Sequence, residues 1–140
     1  LASIAPDIVK FHESVGCTIG NIGFCHGHAW PSQEVMNSEI LVMGHEHPAF
    51  SFRDRVDKLH SEPCWLRAPM IEHERYERVP DLLIVMPAFG ELAGRTMNRE
   101  PLKGLGPILR NGLADLSKAR VETLEGLEFG ELGNLLDLRL

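Results

Sequence analysis

The sequence predicts a strand-rich α/β fold with few, short helices. Three features lead there. Continuous apolar runs at 40–43 and 82–86 suit buried strands, Gly-containing pairs stand between β-branched segments, and a single short stretch near residue 31 carries a helix-start signal.

Taken in order, residues 8–13 mix β-branched and aromatic side chains and predict a first strand that Gly16 ends. Residues 17–19 and 22–25 flank Gly20-Asn21, whose first position suits a positive φ, so they predict a hairpin. Trp30-Pro31-Ser32 followed by good helix formers predicts a short helix ending near Met36, because proline is tolerated in a first helical turn. Ile40-Leu41-Val42-Met43 predicts a fully buried strand. The resulting order of strand, helix and strand can make a crossover between parallel strands, placing Cys25-His26 and Gly44-His45 at neighbouring carboxyl ends. Ligands collect at such ends.

Further along, 50–53 and 64–66 predict strands separated by a polar stretch over 54–62, and the charge run 72–78 reads as a solvated loop or helix face. Residues 82–86 predict another buried strand stopped by Pro87. A long irregular connection follows, punctuated by Gly90, Gly94, Pro101, Gly104, Gly106 and Pro107. Residues 121–124 and 127–130 predict a closing hairpin around Glu125-Gly126.

A chain of 140 residues, 44% hydrophobic and 24% charged, suits one domain. Its net charge of -6 gives no footprint for sequence-independent binding of nucleic acid, although a metal can neutralise a phosphate locally. The three cysteines, Cys17, Cys25 and Cys64, form no disulfide framework and point to a reducing cytoplasm. No apolar run approaches the length of a membrane span, so a membrane is not expected as a partner.

The chemistry concentrates in the histidines. Of seven, four fall between Cys25 and His47, in the glycine-containing words His26-Gly27-His28 and Gly44-His45-Glu46-His47. In an extended segment residues i and i+2 point the same way, so His45 and His47 are expected to present both rings to one cavity. That separation suits two metal ions about 3.5–4 Å apart, each taking one ring. Gly27 and Gly44 leave room for close backbone approach. His12, His60 and His73 lack such context and are assigned ordinary structural roles.

These two words resemble the last two metal motifs of calcineurin-like metallophosphoesterases. The flanking words His28-Ala29-Trp30-Pro31, His47-Pro48-Ala49, Pro63-Cys64-Trp65, Pro87-Ala88-Phe89-Gly90 and Leu105-Gly106-Pro107 extend the resemblance over nearly the whole chain. Together they resemble the archaeal branch of that family and its bacterial relatives, the DNA-ligase-associated phosphoesterases. The resemblance implies that residues 1–140 are the C-terminal half of a four-layer α-β-β-α sandwich. It implies His26 and His45 as ligands of one ion, His47 as ligand of its neighbour, and His28 as the catalytic residue facing the substrate. Two divalent ions are implied, manganese first, with iron, nickel or zinc as alternatives. The implied reaction is hydrolysis of a phosphodiester or phosphomonoester by a two-metal-activated hydroxide, with a nucleic acid or nucleotide among the candidate substrates. Protonated imidazole does not ligate, so metal is expected to be lost as pH falls below roughly 6.5.

The family's earlier motifs, Asp-X-His, Gly-Asp, and Gly-Asn-His followed by Asp or Glu, are absent from the sequence. Residues 1–6 correspond to the stretch that follows the asparagine motif, so the chain is expected to begin where the first half of the domain ends. Alone it is expected to be inactive, and to self-associate through sheet surface that the other half would cover. Two further readings stand beside the hydrolase. One is a structural metal-binding module using Cys25 with nearby histidines; the other is a non-catalytic domain that has lost half the site.

Overall fold

A computed structural model of the chain describes residues 9–90 and 93–140. Nine strands are described: β1 (Cys17–Ile19), β2 (Ile22–Cys25), β3 (Ile40–Met43), β4 (Pro48–Arg53), β5 (Leu59–Pro69), β6 (Leu82–Val85), β7 (Arg95–Thr96), β8 (Arg120–Thr123) and β9 (Glu128–Glu131). Two one-turn helices, α1 (Gln33–Met36) and α2 (Pro107–Arg110), and two 3-10 turns complete the described elements. The architecture is mixed α/β and strand-rich, with few short helices.

Local chemistry explains the elements that position the site. Gly20 takes φ 59°, which lets β1 turn back onto β2 with Cys17 opposite Phe24. Ser32 caps α1 by accepting the Val35 N–H at 3.3 Å, so the helix starts after Pro31. The α1 connection then returns the chain to a strand running parallel to β2. Cys25 pairs with Met43 across β2 and β3, and Met43 with Val85 across β3 and β6. The crossover anticipated from strand, helix and strand is therefore present.

Strand β5 ties the molecule together. Its first half pairs with β4, Ala49 opposite Pro63, and its second half pairs with both β6 and β8. It thereby joins a small β4–β7 sheet to the larger one. Phe50, Leu41, Met43, Leu66, Leu83 and Val121 are buried in the shared core, where the Phe50 ring lies 4.6 Å from that of Phe129 and 5.8 Å from that of Phe52.

Four expectations are corrected. Residues 9–13 form no strand: they pair with no strand among the described residues, and Val9 and Phe11 are 46% and 57% exposed; Ile8 lies outside the described residues. The 40–43 run is buried on one side only, since Leu41 and Met43 are buried while Ile40 and Val42 are half-buried. The polar stretch thought to reach residue 62 ends in a tight turn, because Asp54 accepts the Val56 and Lys58 N–H groups and β5 begins at Leu59. Finally, the long connection after Pro87 holds β7 and α2.

The larger sheet has one half-buried apolar face. Ile22, Ile40 and Leu82 lie in one register row and Phe24, Val42 and Ile84 in the next. All six are half-buried, whereas Gly23, Leu41 and Leu83 between them are buried. No helix among the described residues is long and apolar enough to cross a membrane.

Candidate metal centre

Because β2 and β3 are parallel and in register, their ends deliver His26 and Gly44 side by side, and the Gly44 N–H donates to the His26 carbonyl at 3.1 Å. Gly27 takes φ 105°, and a side chain there would lie 3.2 Å from the Gly44 carbonyl oxygen and 3.3 Å from the His45 Cβ. Only glycine suits that conformation and that contact together.

Three imidazoles meet above these strand ends. The His26 ring centroid lies 5.0 Å from that of His28 and 5.1 Å from that of His45, and His28 and His45 are 6.1 Å apart. His47 is exposed and near enough for its charge to act on His26. Its backbone departs from expectation, as does that of His45. Both occupy the left-handed region, with φ 66° at His45 and 48° at His47, so these residues do not share a strand face. Such a conformation costs a non-glycine residue about 1–3 kcal/mol, and it persists only where surrounding contacts over-determine it.

His26 favours its neutral form. Desolvation, followed by the positive charges that His45, His28 and His47 would carry, holds His26 below the ordinary histidine pKa. A neutral imidazole is the form that donates to a metal. The donors thus fit a divalent transition ion in kind. The fit is partial in number, because no three His, Cys, Asp or Glu side chains among the described residues close around one point. Glu46 supplies no carboxylate to the rings: it is fully buried, and both its oxygens accept hydrogen bonds from elsewhere in the protein. Burial pushes the Cys25 thiol up to about 12, which keeps it protonated in the metal-free chain.

His28 lies between two hollows. One, of about 430 Å³, is lined by His12, Glu13, Phe24, His26 and Met86 as well as His28. The other, of about 400 Å³, is lined by His28, Trp30, Leu105, Arg110 and Asn111. His12 shares a wall with two of the clustered rings, and nothing in its local sequence signals this. His60 and His73 each have contacts of their own. His60 pairs with Asp54 at 2.8 Å and stacks on Phe52, while His73 accepts the Arg75 N–H at 3.1 Å. A third cleft, lined by Ser51, Phe52, Thr96, Asn98 and Arg139, lies away from the cluster and gathers no histidines.

No family model, curated protein or solved structure matches this chain.

Proposed function

We propose that this chain supplies the histidine half of a two-metal phosphoesterase site. The observation that carries the reading is the meeting of His26, His28 and His45 at the ends of adjacent parallel strands, with rings 5.0–6.1 Å apart. On this reading His26 and His45 hold one ion and His47 its neighbour. His28, between two hollows that admit a ligand, faces the substrate. The ions, when bound, supply Lewis acidity toward a phosphoryl oxygen. The residues of this chain hold the imidazole donors in place and leave open the surface where a phosphoester enters. A phosphodiester or phosphomonoester is the substrate class proposed, with a nucleotide or nucleic acid among the candidates.

The reading also gives the half-buried apolar face of the larger sheet a role, as the surface that the remaining layers of a four-layer sandwich cover. Residues 1–140 alone are then expected to self-associate. Size-exclusion chromatography with light scattering checks this: oligomers should appear at micromolar concentration and shrink toward monomer when Val42 and Ile84 are both changed to threonine. A monomeric native chain would contradict it.

Cleavage of bis(4-nitrophenyl) phosphate in the presence of Mn²⁺ tests the activity. Residues 1–140 alone are expected to give no metal-dependent rate above buffer. A polypeptide carrying Asp-X-His and Gly-Asn-His-Asp motifs in frame before Leu1 is expected to turn over, and to lose at least about a hundredfold in rate on His26→Ala, a cost of ~2.7 kcal/mol in barrier. Steady turnover by residues 1–140 alone, or an unaffected His26→Ala variant, would overturn the assignment.

A further inference from the structure

We propose that Glu46 is the positioning residue of the histidine cluster: its buried carboxylate locks the loop bearing His45 and His47 to the 103–107 loop, and so fixes where those two rings stand. This goes beyond the phosphoesterase reading and does not depend on it. A carboxylate between two histidines invites the role of metal ligand or base, and the geometry assigns it neither.

Glu46 is 0% exposed, and a buried carboxylate persists only when it is paired and hydrogen-bonded. One oxygen accepts from Arg95 Nη2 at 2.9 Å and from the Leu105 N–H at 2.7 Å; the other accepts from the Gly106 N–H at 2.9 Å. These charge-assisted bonds leave no outward-facing oxygen. Arg95 grips the same loop a second time, through its own backbone N–H, which donates to the His47 carbonyl at 2.7 Å. It also donates from Nη2 to the Lys103 carbonyl at 2.9 Å, and it keeps these contacts although its Nε is buried without a partner.

The 103–107 loop in turn reaches the other histidine loop. A Cβ added at Gly106 would fall on the Gly27 carbonyl oxygen, so Gly106 is wedged between Glu46 and the residue that separates His26 from His28. One carboxylate therefore couples both histidine words through a third segment some sixty residues away. The left-handed backbone at His45 and His47, on either side of Glu46, is the strain that this anchoring sustains.

The test is Glu46→Gln in the metal-free chain, read by ring proton–carbon correlation spectra and ring-to-ring nuclear Overhauser contacts. Glutamine keeps the volume, but it presents an amide donor where the protein already presents only donors. The ring signals of His45 and His47 are expected to move and the His26–His45 contact to vanish, while the His60 and His73 signals stay in place and thermal unfolding stays cooperative. A folded variant that keeps the native His45 and His47 signals and the His26–His45 contact would overturn the proposal. Gly106→Ala displaces the 103–107 loop while leaving the carboxylate, and should move the His26, His28, His45 and His47 signals together. Unchanged signals in that variant would also overturn it, including where Glu46→Gln fails to fold. A native chain that binds no divalent ion removes the phosphoesterase reading and leaves this ring-geometry result intact.

Discussion

Phe50→Ala is expected to destabilise the chain by about 3–5 kcal/mol, the range for truncating a buried aromatic side chain. Phe50 is 0% exposed on β4, and its ring packs against Phe52 and Phe129. The loss combines the transfer free energy of the ring with a cavity that the surroundings fill only partly. Strand β4 makes it hard to fill, because it is held in register by β5 on one side and β7 on the other and cannot shift inward. Since small domains hold only about 5–15 kcal/mol of net stability, this one change should remove a large share of it. Urea unfolding midpoints, taken at a concentration where the chain is monodisperse, check the value. A cost below about 1 kcal/mol would mean that β4 and β9 do not share a core.

The second large effect is on metal binding. His45→Gly is expected to weaken the affinity of the chain for Ni²⁺ by at least about a hundredfold, ~2.7 kcal/mol, measured by calorimetric titration. Glycine is the informative replacement, because His45 sits at φ 66°, where glycine is at ease and alanine is strained. The donor disappears without a backbone penalty, so fold stability should change little while binding collapses. His73→Ala, which alters a ring outside the cluster, should leave binding unchanged. An His45→Gly variant that binds like the native chain would show that His45 is not a ligand.

Acidification should weaken binding too, and the sign follows from His26. Its pKa is lowered, so the folded chain binds the proton less readily than an ordinary histidine does. His26 therefore stays a neutral donor below the ordinary histidine range. The same shift means that the unfolded chain takes up more protons there. The stability contributed by a neutral His26 is fully present above the ordinary histidine value and falls as pH drops from that value toward the lowered one.

The parts of the fold that were legible in the sequence are those written in local chemistry. Gly20-Asn21 and Glu125-Gly126 announce their hairpins, Ser32 after Pro31 announces α1, and the apolar runs announce β3 and β6. The strand–helix–strand order was enough to place His26 beside His45. What could not be read depends on distant partners. Leu59 to Pro63 carries no apolar run, and it becomes strand because β4 lies alongside. Residues 9–13 have the composition of a strand and no strand to pair with among the described residues. Nothing in the local sequence assigns Glu46 a role, because its burial depends on N–H groups about sixty residues away. The left-handed backbone of His45 and His47 gave no signal, because that conformation is ordinarily announced by glycine.

Cobalt titration at neutral pH, followed by visible absorption, tests most directly whether these imidazoles bind a metal. The native chain is expected to develop ligand-field bands displaced from those of the free hexa-aqua ion, rising to a stoichiometric end point. The same titration of a chain carrying His26→Ala, His45→Gly and His47→Gly together should return only the free-ion spectrum. A native chain that leaves the aqua spectrum unchanged, or a triple variant that binds as the native chain does, would contradict the account.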